Sequence, residues 1–306
     1  MSQRKVAVLL STYNGAKYIE EFLTSLRLQE FENITLMIRD DGSSDNTLQL
    51  IDKNKGNFKL NILPSDKNLG SAKSFLLLLN ETGGDFDYYS FADQDDVWLP
   101  GKISRAVDKL EAMSPEVPAL YCSGIEFVDK DLTHLKWYSV PRKVGFGNAL
   151  VENVATGCTI VINNSARKLI VSKLPENCLM HDWWFYLVVS CFGHIYWDDY
   201  SGIMYRQHDN NSVGAATSFW NDIGRRLRRF MKGDRSGVFS LCAQAATFYS
   251  LFGADLSEER KDIIERIIRG KASLFHRIQL FFSKRIWRQR PVDDLIMRIV
   301  LLINRY

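Results

Sequence analysis

Short apolar runs alternate with helically spaced apolar positions through the N-terminal third of the chain. Buried strands are predicted at 6–11, 34–38, 58–63 and 87–92. Helices are predicted near 19–26, 48–51, 71–79 and 100–113, the last of them with a proline at its start. This strand–helix alternation predicts an α/β fold with a mostly parallel sheet flanked by helices.

The pattern changes between residues 119 and 207. An apolar helix at 182–189 lies among strand-like runs at 119–128, 159–162, 194–197 and 202–207. Because no linker precedes this stretch, we expect one domain, 1–214, with halves of about 1–118 and 119–214. The small and polar residues at 210–218 predict a break before a helical C-terminal region, 215–306. Basic amphipathic helices are predicted in this region at 223–231, 258–268, 274–287 and 292–304.

Polar clusters follow three of the predicted strands. They are Thr12-Tyr13-Asn14, Asp40-Asp41-Gly42 and Asp93-Gln94-Asp95-Asp96. Ligands of such sheets bind at the carboxyl ends of the strands, so these clusters are candidate ligand contacts. The second cluster suits a turn that caps the next helix. One of its two carboxylates is equally well suited to accept a hydrogen bond from the imide N–H of a base.

The third cluster, which we call the acidic turn (93–96), places three carboxylates within four residues. Crowded carboxylates repel one another and raise each other's pKa unless a cation neutralises them. Oxygen ligands suit Mg²⁺ or Mn²⁺, and such an ion stabilises a diphosphate leaving group. The alternative is a solvated acidic loop that caps the helix starting near Pro100.

Two further polar groups lie beside apolar segments. Asp182, within His181-Asp182-Trp183-Trp184, is either a helix cap or a general base partly desolvated by its aromatic neighbours. The two Trp residues are either a sugar-stacking face or part of the core. Arg206 and His208 end a strand and together suit a phosphate–metal site, because Arg forks onto phosphate oxygens. The alternative for the histidine is a structural role.

Composition narrows the class of protein. The chain has 306 residues, of which 46% are hydrophobic and 25% charged, as in ordinary soluble globular proteins. Disorder and a disulfide scaffold are excluded. Five cysteines with no C-x-x-C pair indicate reduced thiols and no zinc knuckle. Neither a signal peptide nor a spanning apolar stretch is visible, so we expect a cytoplasmic protein, soluble or bound to a membrane surface.

The net charge of +3 hides a split along the chain. From Trp220 onward there are 18 basic and 9 acidic residues, whereas the first 219 residues hold 21 basic and 27 acidic ones. Basic residues stand among aromatic and aliphatic ones at 223–232 and 281–290, which is typical of interfacial membrane helices. The alternatives are helices that pack on the first domain or form a homo-oligomer. No nucleic-acid motif is present, so we expect no nucleic-acid partner.

Taken in order, the motifs resemble those of the family 2 glycosyltransferases, which have the GT-A fold. The resemblance covers residues 4–214. It rests on Val-Leu-Leu-Ser-Thr-Tyr-Asn-Gly, Arg-Asp-Asp-Gly-Ser-Ser-Asp-Asn-Thr, Asn68-Leu69-Gly70, Phe-Ala-Asp-Gln-Asp-Asp-Val-Trp-Leu-Pro, Thr156-Gly157-Cys158, His-Asp-Trp-Trp and Tyr-Arg-Gln-His through Asn211. The last two motifs are most similar to those of bacterial rhamnosyltransferases that build O-antigen and other surface polysaccharides.

The resemblance implies a role for each matching residue. The nucleotide-sugar would contact Thr12, Tyr13, Asn14, Asp41, Lys73, Asp93, Gln94, Asp95 and Arg206. Asp41 would read the pyrimidine, and Asp95 would contact the metal more directly than Asp93. The metal, Mn²⁺ or Mg²⁺, would be held by Asp93, Asp95 and His208. Asp182 would be the catalytic base, and the acceptor would contact Gly157, Cys158, Trp183 and Trp184.

The resemblance further implies a metal-dependent inverting transferase, because one base and no enzyme nucleophile give a single displacement. The expected donor is dTDP-rhamnose. The expected acceptor is a polyprenyl-linked saccharide at the inner face of the plasma membrane. We expect the basic region from Trp220 onward to contact anionic lipid there. A UDP-hexose donor is the alternative within the family.

Two other classes of protein are disfavoured. A sugar nucleotidyltransferase needs a Gly-rich, Arg-containing loop after the first strand, where this chain has Thr-Tyr-Asn-Gly-Ala-Lys. A non-catalytic glycan-binding or scaffold protein would have no need of Asp95 and Asp182, and both are present.

Overall fold

The computed structural model describes residues 4–56, 59–65, 67–137, 140–141, 143–207 and 240–306. These residues form two compact units. The first unit holds the described residues up to Val140, Ala155–Ser172 and 180–207, and the second holds those of Pro141–Val154, Lys173–Leu179 and 240–306. The domain boundary predicted from the sequence, at residue 214, assigns two short segments, 141–154 and 173–179, to the first domain. In the structure both segments belong to the second unit. The predicted break at 210–218 and the predicted helix at 223–231 lie outside the described residues.

The strands of the first unit form one mixed sheet. They are β1 Val6–Thr12, β2 Ile34–Asp40, β3 Lys59–Leu63, β4 Tyr88–Ala92, β5 Val97–Trp98, β6 Ala119–Val128, β7 His134–Trp137, β8 Val161–Asn163 and β9 His194–Arg206. Their order is β3-β2-β1-β4-β8-β6-β9-β5, and β7 pairs with β6. The pairs β1–β2, β1–β4, β2–β3 and β6–β9 are parallel, and the other pairs are antiparallel. The predicted α/β class is confirmed, with a sheet that is mixed.

Helices flank this sheet and build the second unit. The first unit contains α1 Ile19–Arg27, α2 Thr47–Lys53, α3 Ser71–Glu81, α4 Lys102–Glu111, α6 Asn164–Ser172 and α7 His181–Phe192. The second contains α5 Phe146–Ala149, α8 Leu241–Phe252, α9 Glu258–Arg269, α10 Leu274–Phe282 and α11 Pro291–Leu302. Short 3₁₀ turns occur at Gly157–Thr159 and Gly253–Asp255. Among the described residues, no helix combines the length and the apolar composition needed to cross a bilayer.

The core of the first unit follows the predicted apolar pattern. Every residue of β2 and β4 is buried, as expected of strands covered on both faces. In α1, the apolar positions Ile19, Phe22, Leu23 and Leu26 are buried, as their helical spacing predicts.

The predicted helix at 274–287 ends earlier, at Phe282. The Arg298 guanidinium donates to the carbonyl oxygens of Phe281 (2.6 Å) and Ser283 (2.8 Å), which satisfies backbone groups at the end of the helix. Ile286 is then fully buried in the following loop. A side chain 15 residues away in sequence therefore stabilises the end of this helix.

The strand β8 brings several loops to one edge of the sheet. It is antiparallel to both β4 and β6, so these two strands run in the same direction, and β9 runs parallel to β6. The carboxyl ends of β1, β2, β4 and β9 therefore lie at the same edge as the turn Gly157–Thr159 that precedes β8. The polar clusters identified in the sequence meet there.

An ion pair between the partly exposed Arg105 and the buried Asp198 connects α4 to β9. Asp198 is 3% exposed and accepts hydrogen bonds from Arg105 Nε (2.7 Å) and Nη2 (3.0 Å) and from the Tyr121 hydroxyl (3.1 Å). Burial by itself raises the pKa of Asp198, but the bonds from Arg105 and the Tyr200 amide outweigh it and lower the pKa below its usual range. The ionised form therefore stabilises the fold.

We expect Asp198→Asn to lower the free energy of unfolding by about 2 kcal/mol at neutral pH, because charged hydrogen bonds are lost. The wild-type carboxylate stabilises fully above its unfolded-state pKa of about 3.9 and loses this contribution as the pH falls through its lower folded-state pKa. The difference in the free energy of unfolding between wild type and variant, measured by urea unfolding, should therefore become smaller below about pH 4. The exposed neighbour in Asp199→Asn is the matched control. An equal loss in both variants, or a gap independent of pH, would contradict this assignment.

Candidate functional site

The acidic turn connects β4 to β5. Asp93 and Asp95 are partly exposed, whereas Asp96 is 1% exposed and accepts a hydrogen bond from the Arg206 amide (3.3 Å). One ligand atom from each of Asp93, Asp96 and Cys158 lies within 4.8 Å of the others. The sequence pairs Asp93 with Asp95, but among the described residues the compact group is Asp93, Asp96 and Cys158.

Burial and mutual repulsion disturb the titration of this turn. Burial, followed by the charges of Asp95 and Asp182, raises the pKa of Asp93 to about 7. Burial, followed by the charges of Asp95 and Asp93, raises the pKa of Asp96 well above its usual value. The turn therefore carries more negative charge than its surroundings stabilise.

A buried lysine lies below the turn and was not identified from the sequence. Lys102 is 3% exposed, donates to the Ser90 hydroxyl (3.0 Å) and lies 3.6 Å from the centre of the Trp98 ring. Burial lowers the pKa of Lys102 to about 7, and the nearby acidic groups only partly oppose this shift. Near neutral pH this lysine is therefore only a partial counter-charge. No sequence signal marked it, because a lysine at the start of an amphipathic helix is ordinarily solvated.

The residues present fit a hard divalent cation. The carboxylates of the acidic turn offer oxygen ligands. Their pKa values are raised by burial and then by mutual repulsion, and a cation would relieve that repulsion. Burial raises the pKa of the Cys158 thiol well above its usual value, so the sulfur stays protonated and is a poor ligand for such an ion. His208, the third predicted ligand, lies outside the described residues.

Arg206, at the end of β9, is hydrogen-bonded to the acidic turn. Its side chain is 2% exposed, and its Nε donates to the Asp95 carbonyl oxygen (3.0 Å). The other two guanidinium nitrogens bond to the Lys130 carbonyl oxygen and the Glu21 carboxylate. The sequence assigns Arg206 to the nucleotide-sugar, but here its nitrogens are directed to protein partners. Its distance along the chain from Glu21 explains why the sequence does not reveal this use.

Gln94 joins the acidic turn to the loop after β1. Its Oε1 accepts from the Tyr13 amide (3.0 Å) and its Nε2 donates to the Tyr13 carbonyl oxygen (2.9 Å). A Cβ at Gly15 would lie 2.1 Å from that Oε1, so this glycine leaves room for the bridge. The two loops are thus held in one arrangement, with the Tyr13 ring exposed.

The loop after β1 is also bonded to the loop after β2. The buried Thr12 hydroxyl donates to Asp40 Oδ1 (2.8 Å). The Asn14 amide donates to the Ser43 hydroxyl (2.9 Å), and the Asn14 side-chain oxygen accepts from the Ser44 amide (2.8 Å). Asn14 has a φ of 47°, a conformation that Asn tolerates better than most residues. Two predicted nucleotide contacts, Thr12 and Asn14, therefore also hold the loop after β2.

Asp41 fixes the loop that leads into α3. Its carboxylate is buried, pairs with Arg39, and accepts from the amides of Leu69 (2.8 Å) and Gly70 (2.8 Å). Lys73 is exposed in the first turn of that helix. The role of Asp41 in reading a pyrimidine stays a prediction, and its observed contacts are to the protein backbone and Arg39.

Asp182 lies near the start of α7 and faces the turn before β8. Its carboxylate accepts from the Gly157 amide (3.1 Å) and from the Trp183 amide (2.6 Å). Its charge contributes to the raised pKa of Asp93. The predicted base and the acidic turn, 89 positions apart along the chain, therefore lie within electrostatic reach of each other.

The predicted acceptor contacts differ in exposure. Gly157, Cys158 and Trp184 are buried, and only Trp183 of the four keeps exposed surface. Trp184 therefore belongs to the core, which is the alternative that the sequence leaves open. Cys158 faces the acidic turn instead of a free surface.

His181, whose role the sequence leaves open, packs beneath Asp182. Its ring is 4% exposed and stacks on Phe75 at 4.2 Å, with Phe91 and Phe185 nearby. Burial lowers the pKa of His181 to about 3, so the imidazole is neutral. A Cβ at Gly157 would lie 3.0 Å from its Nε2. The ring therefore supports the turn whose amide holds the Asp182 carboxylate.

Known proteins share both the sequence and the fold. A family model described as Glycosyl transferase family 2 matches residues 7–166. The dTDP-rhamnosyl transferase RfbG of Shigella flexneri is 34% identical over 227 residues, which cover 69% of this chain and 75% of that protein. An uncharacterised glycosyltransferase of Rickettsia typhi is 26% identical over 74% of this chain and 71% of its own length.

Solved structures of low identity show the fold. S. aureus TarS 1–349 in complex with UDP-GlcNAc aligns with a TM-score of 0.58 and 17% identity over 99% of this chain and 89% of its own. The mannosyltransferase PcManGT from Pyrobaculum calidifontis, in complex with GDP-Man and Mn²⁺, aligns with a TM-score of 0.53 and 14% identity. This alignment covers 99% of this chain and 86% of that chain. These alignments support the predicted GT-A fold of this chain. Because the family model spans more than half of the chain, this protein belongs to the family 2 glycosyltransferases.

Proposed function

We propose that the protein transfers L-rhamnose from dTDP-rhamnose to a saccharide acceptor, with a divalent metal and with inversion at the anomeric carbon. The observation that carries this proposal is the proximity of Asp182 to the acidic turn, which brings a potential base near a potential diphosphate site. The sugar and nucleotide are proposed by similarity to the Shigella flexneri dTDP-rhamnosyl transferase.

The donor would bind at the edge where β1, β2 and β4 end. The bridges from Gln94 to Tyr13 and from Asp41 to Leu69 and Gly70 fix these loops, which favours a preformed nucleotide pocket. Lys73, exposed in the first turn of α3, would add positive charge for the diphosphate.

Asp93, Asp95 and His208 would hold the metal, as the sequence predicts. The proximity of Asp96 to Asp93 supports Asp96 as a further ligand. When bound there, a divalent cation would neutralise the charge that develops on the leaving diphosphate. The hydrogen bond from Arg206 to the Asp95 carbonyl oxygen would hold the acidic turn in place although the carboxylates of the turn repel one another.

Asp182 would take the proton from the acceptor hydroxyl as its oxygen attacks the anomeric carbon. The bond between that carbon and the diphosphate oxygen breaks in the same displacement, and the diphosphate leaves with the electron pair. Two backbone amides, those of Gly157 and Trp183, orient the Asp182 carboxylate for this step. A single displacement inverts the anomeric configuration.

The proposed acceptor is a polyprenyl-linked saccharide at the inner face of a bacterial plasma membrane. The basic C-terminal region, with 18 basic and 9 acidic residues from Trp220 onward, supports a location beside anionic lipid.

We expect Asp182→Asn to lower the rate of dTDP release from dTDP-rhamnose by about 10²–10⁴-fold, the usual contribution of a general base. Donor affinity, measured by calorimetry, should stay unchanged because the amide keeps the shape of the carboxylate. Asp85→Asn, at an exposed site in the same unit, is the matched control. Release at the wild-type rate in Asp182→Asn would show that another group is the base.

Removal of divalent cations should abolish donor turnover, because the charge on the diphosphate would be left unneutralised. We expect excess EDTA to stop dTDP release and added Mn²⁺ or Mg²⁺ to restore it. Asp93→Asn should weaken Mn²⁺ binding in calorimetry by about 10–100-fold, while Asp85→Asn should not change it. Full activity in EDTA would remove the metal from the mechanism.

A panel of donors separates the two proposed specificities. We expect purified protein with Mn²⁺ or Mg²⁺ to release nucleotide from dTDP-rhamnose faster than from UDP- or GDP-sugars. Faster release from a UDP-hexose would show that the donor is a UDP-hexose and not dTDP-rhamnose. The assignment as a glycosyltransferase would not change.

A further inference from the structure

Two helices of the second unit expose an unusual share of apolar surface. Of the 16 large apolar side chains that are exposed among the described residues, eight lie on α10, on α11 or directly after α11. We call them the apolar face: Leu274, Phe275, Ile278, Phe282, Val292, Leu295, Ile299 and Ile303. Phe282 is 74% exposed and Phe275 65%. Exposed apolar residues scattered singly are normal, but a concentration of this kind marks an interaction surface.

The sequence spacing places these residues on one side of each helix. In α10 the positions 274, 278 and 282 recur every four residues, and in α11 the positions 292, 295 and 299 recur at three and four. The opposite side of α11 buries Met297, Val300 and Leu301. A helix that is apolar on both sides normally has both sides covered, and α11 has only one covered by the described residues.

The two helices lie side by side and antiparallel. Arg277 near the start of α10 donates to the Leu302 carbonyl oxygen at the end of α11 (3.0 Å). Arg298 of α11 donates to the Phe281 carbonyl oxygen at the end of α10 (2.6 Å). Because the two helices are neighbours, we take their exposed sides together as one candidate surface.

Positive charge surrounds this surface. Residues 271–306 hold eight basic and two acidic residues. Exposed bases stand at both ends of the pair: Lys284 and Arg290 in the connecting loop, and Lys271 and Arg305 at the other end. An apolar centre with a basic rim is the pattern of a helix pair that lies in a lipid interface.

This surface uses Phe282, Lys284 and Arg290 of the stretch that the sequence suggests, 281–290, but not Arg285 or Ile286. Ile286 is fully buried, and Arg285 pairs with Asp262 (2.6 Å), so neither is available to a membrane. Arg288 lies near Glu152 (3.5 Å). The second predicted basic stretch, 223–232, lies outside the described residues.

We propose that the apolar face of α10 and α11 docks the protein onto an anionic lipid surface. A second copy of the chain is the less favourable occupant, because it would bring two basic rims together, whereas anionic headgroups attract them. With 9 and 12 residues, the two helices are too short to span a bilayer, so they lie along its surface. This inference rests on the proposed function, because docking onto lipid would bring the protein to a lipid-linked acceptor.

The test is sedimentation of the full chain with vesicles made of equal parts phosphatidylglycerol and phosphatidylcholine. We expect the wild-type protein to bind them and to bind pure phosphatidylcholine more weakly. Phe275→Ser with Phe282→Ser should lower the vesicle partition coefficient by at least about 10-fold, because two exposed aromatic rings no longer enter the interface. Lys284→Gln with Arg290→Gln should lower binding to the anionic vesicles only.

The matched control is Leu28→Ser with Leu135→Ser, which removes two similarly exposed apolar side chains from the first unit. It should bind vesicles as the wild type does. Unchanged vesicle binding by the Phe275/Phe282 variant, or equal binding to both vesicle types, would overturn the proposal. A wild-type dimer in sedimentation velocity that this variant converts to monomer would assign the face to a second copy and would also overturn it.

Vesicle binding can be separated from the proposed transferase activity. The Phe275/Phe282 variant should release dTDP from dTDP-rhamnose in vesicle-free solution at the wild-type rate. Asp182→Asn should bind vesicles normally. Loss of donor turnover in the wild type with normal vesicle binding would therefore count against the proposed function alone.

Discussion

Three loops and a turn meet in the first unit because one short strand reverses direction. The strand β8 is antiparallel to β4 and β6, which makes those two strands parallel to each other across it. Without this reversal, the turn at Gly157–Thr159 would lie at the opposite edge from the acidic turn. With it, the Gly157 amide reaches Asp182, and the adjacent Cys158 reaches Asp93 and Asp96. The whole arrangement of candidate functional groups depends on this backbone pairing.

The carboxylates brought together in this way repel one another, and the surrounding contacts hold them in place. Arg206 bonds to the Asp95 backbone, and Gln94 bonds to the loop after β1. These bonds act on the loops that carry the carboxylates. A cluster of carboxylates that is short of positive charge suits an incoming divalent cation.

The apolar pattern predicted the buried strands β1, β2, β4 and β6 but did not predict every element. The strand at 119–128 was predicted with its observed bounds, because nearly all of its residues are covered. The strand β7 was missed, since every one of its four residues is exposed and no burial pattern exists to detect. The end of α10 was placed five residues too late, because the side chain that ends it, Arg298, comes from another helix.

The sequence alone determined the family, the α/β class and the short list of polar residues, because these depend on motifs and periodicities carried by neighbouring positions. Tertiary structure decided how the listed residues are used. It directed Arg206 to the backbone of the acidic turn, buried Trp184 in the core, and grouped Asp96 with Asp93. It also left one side of α10 and α11 uncovered while burying Ile286. Contacts between distant segments fix these outcomes, and a linear pattern contains no record of which distant segment will be the neighbour.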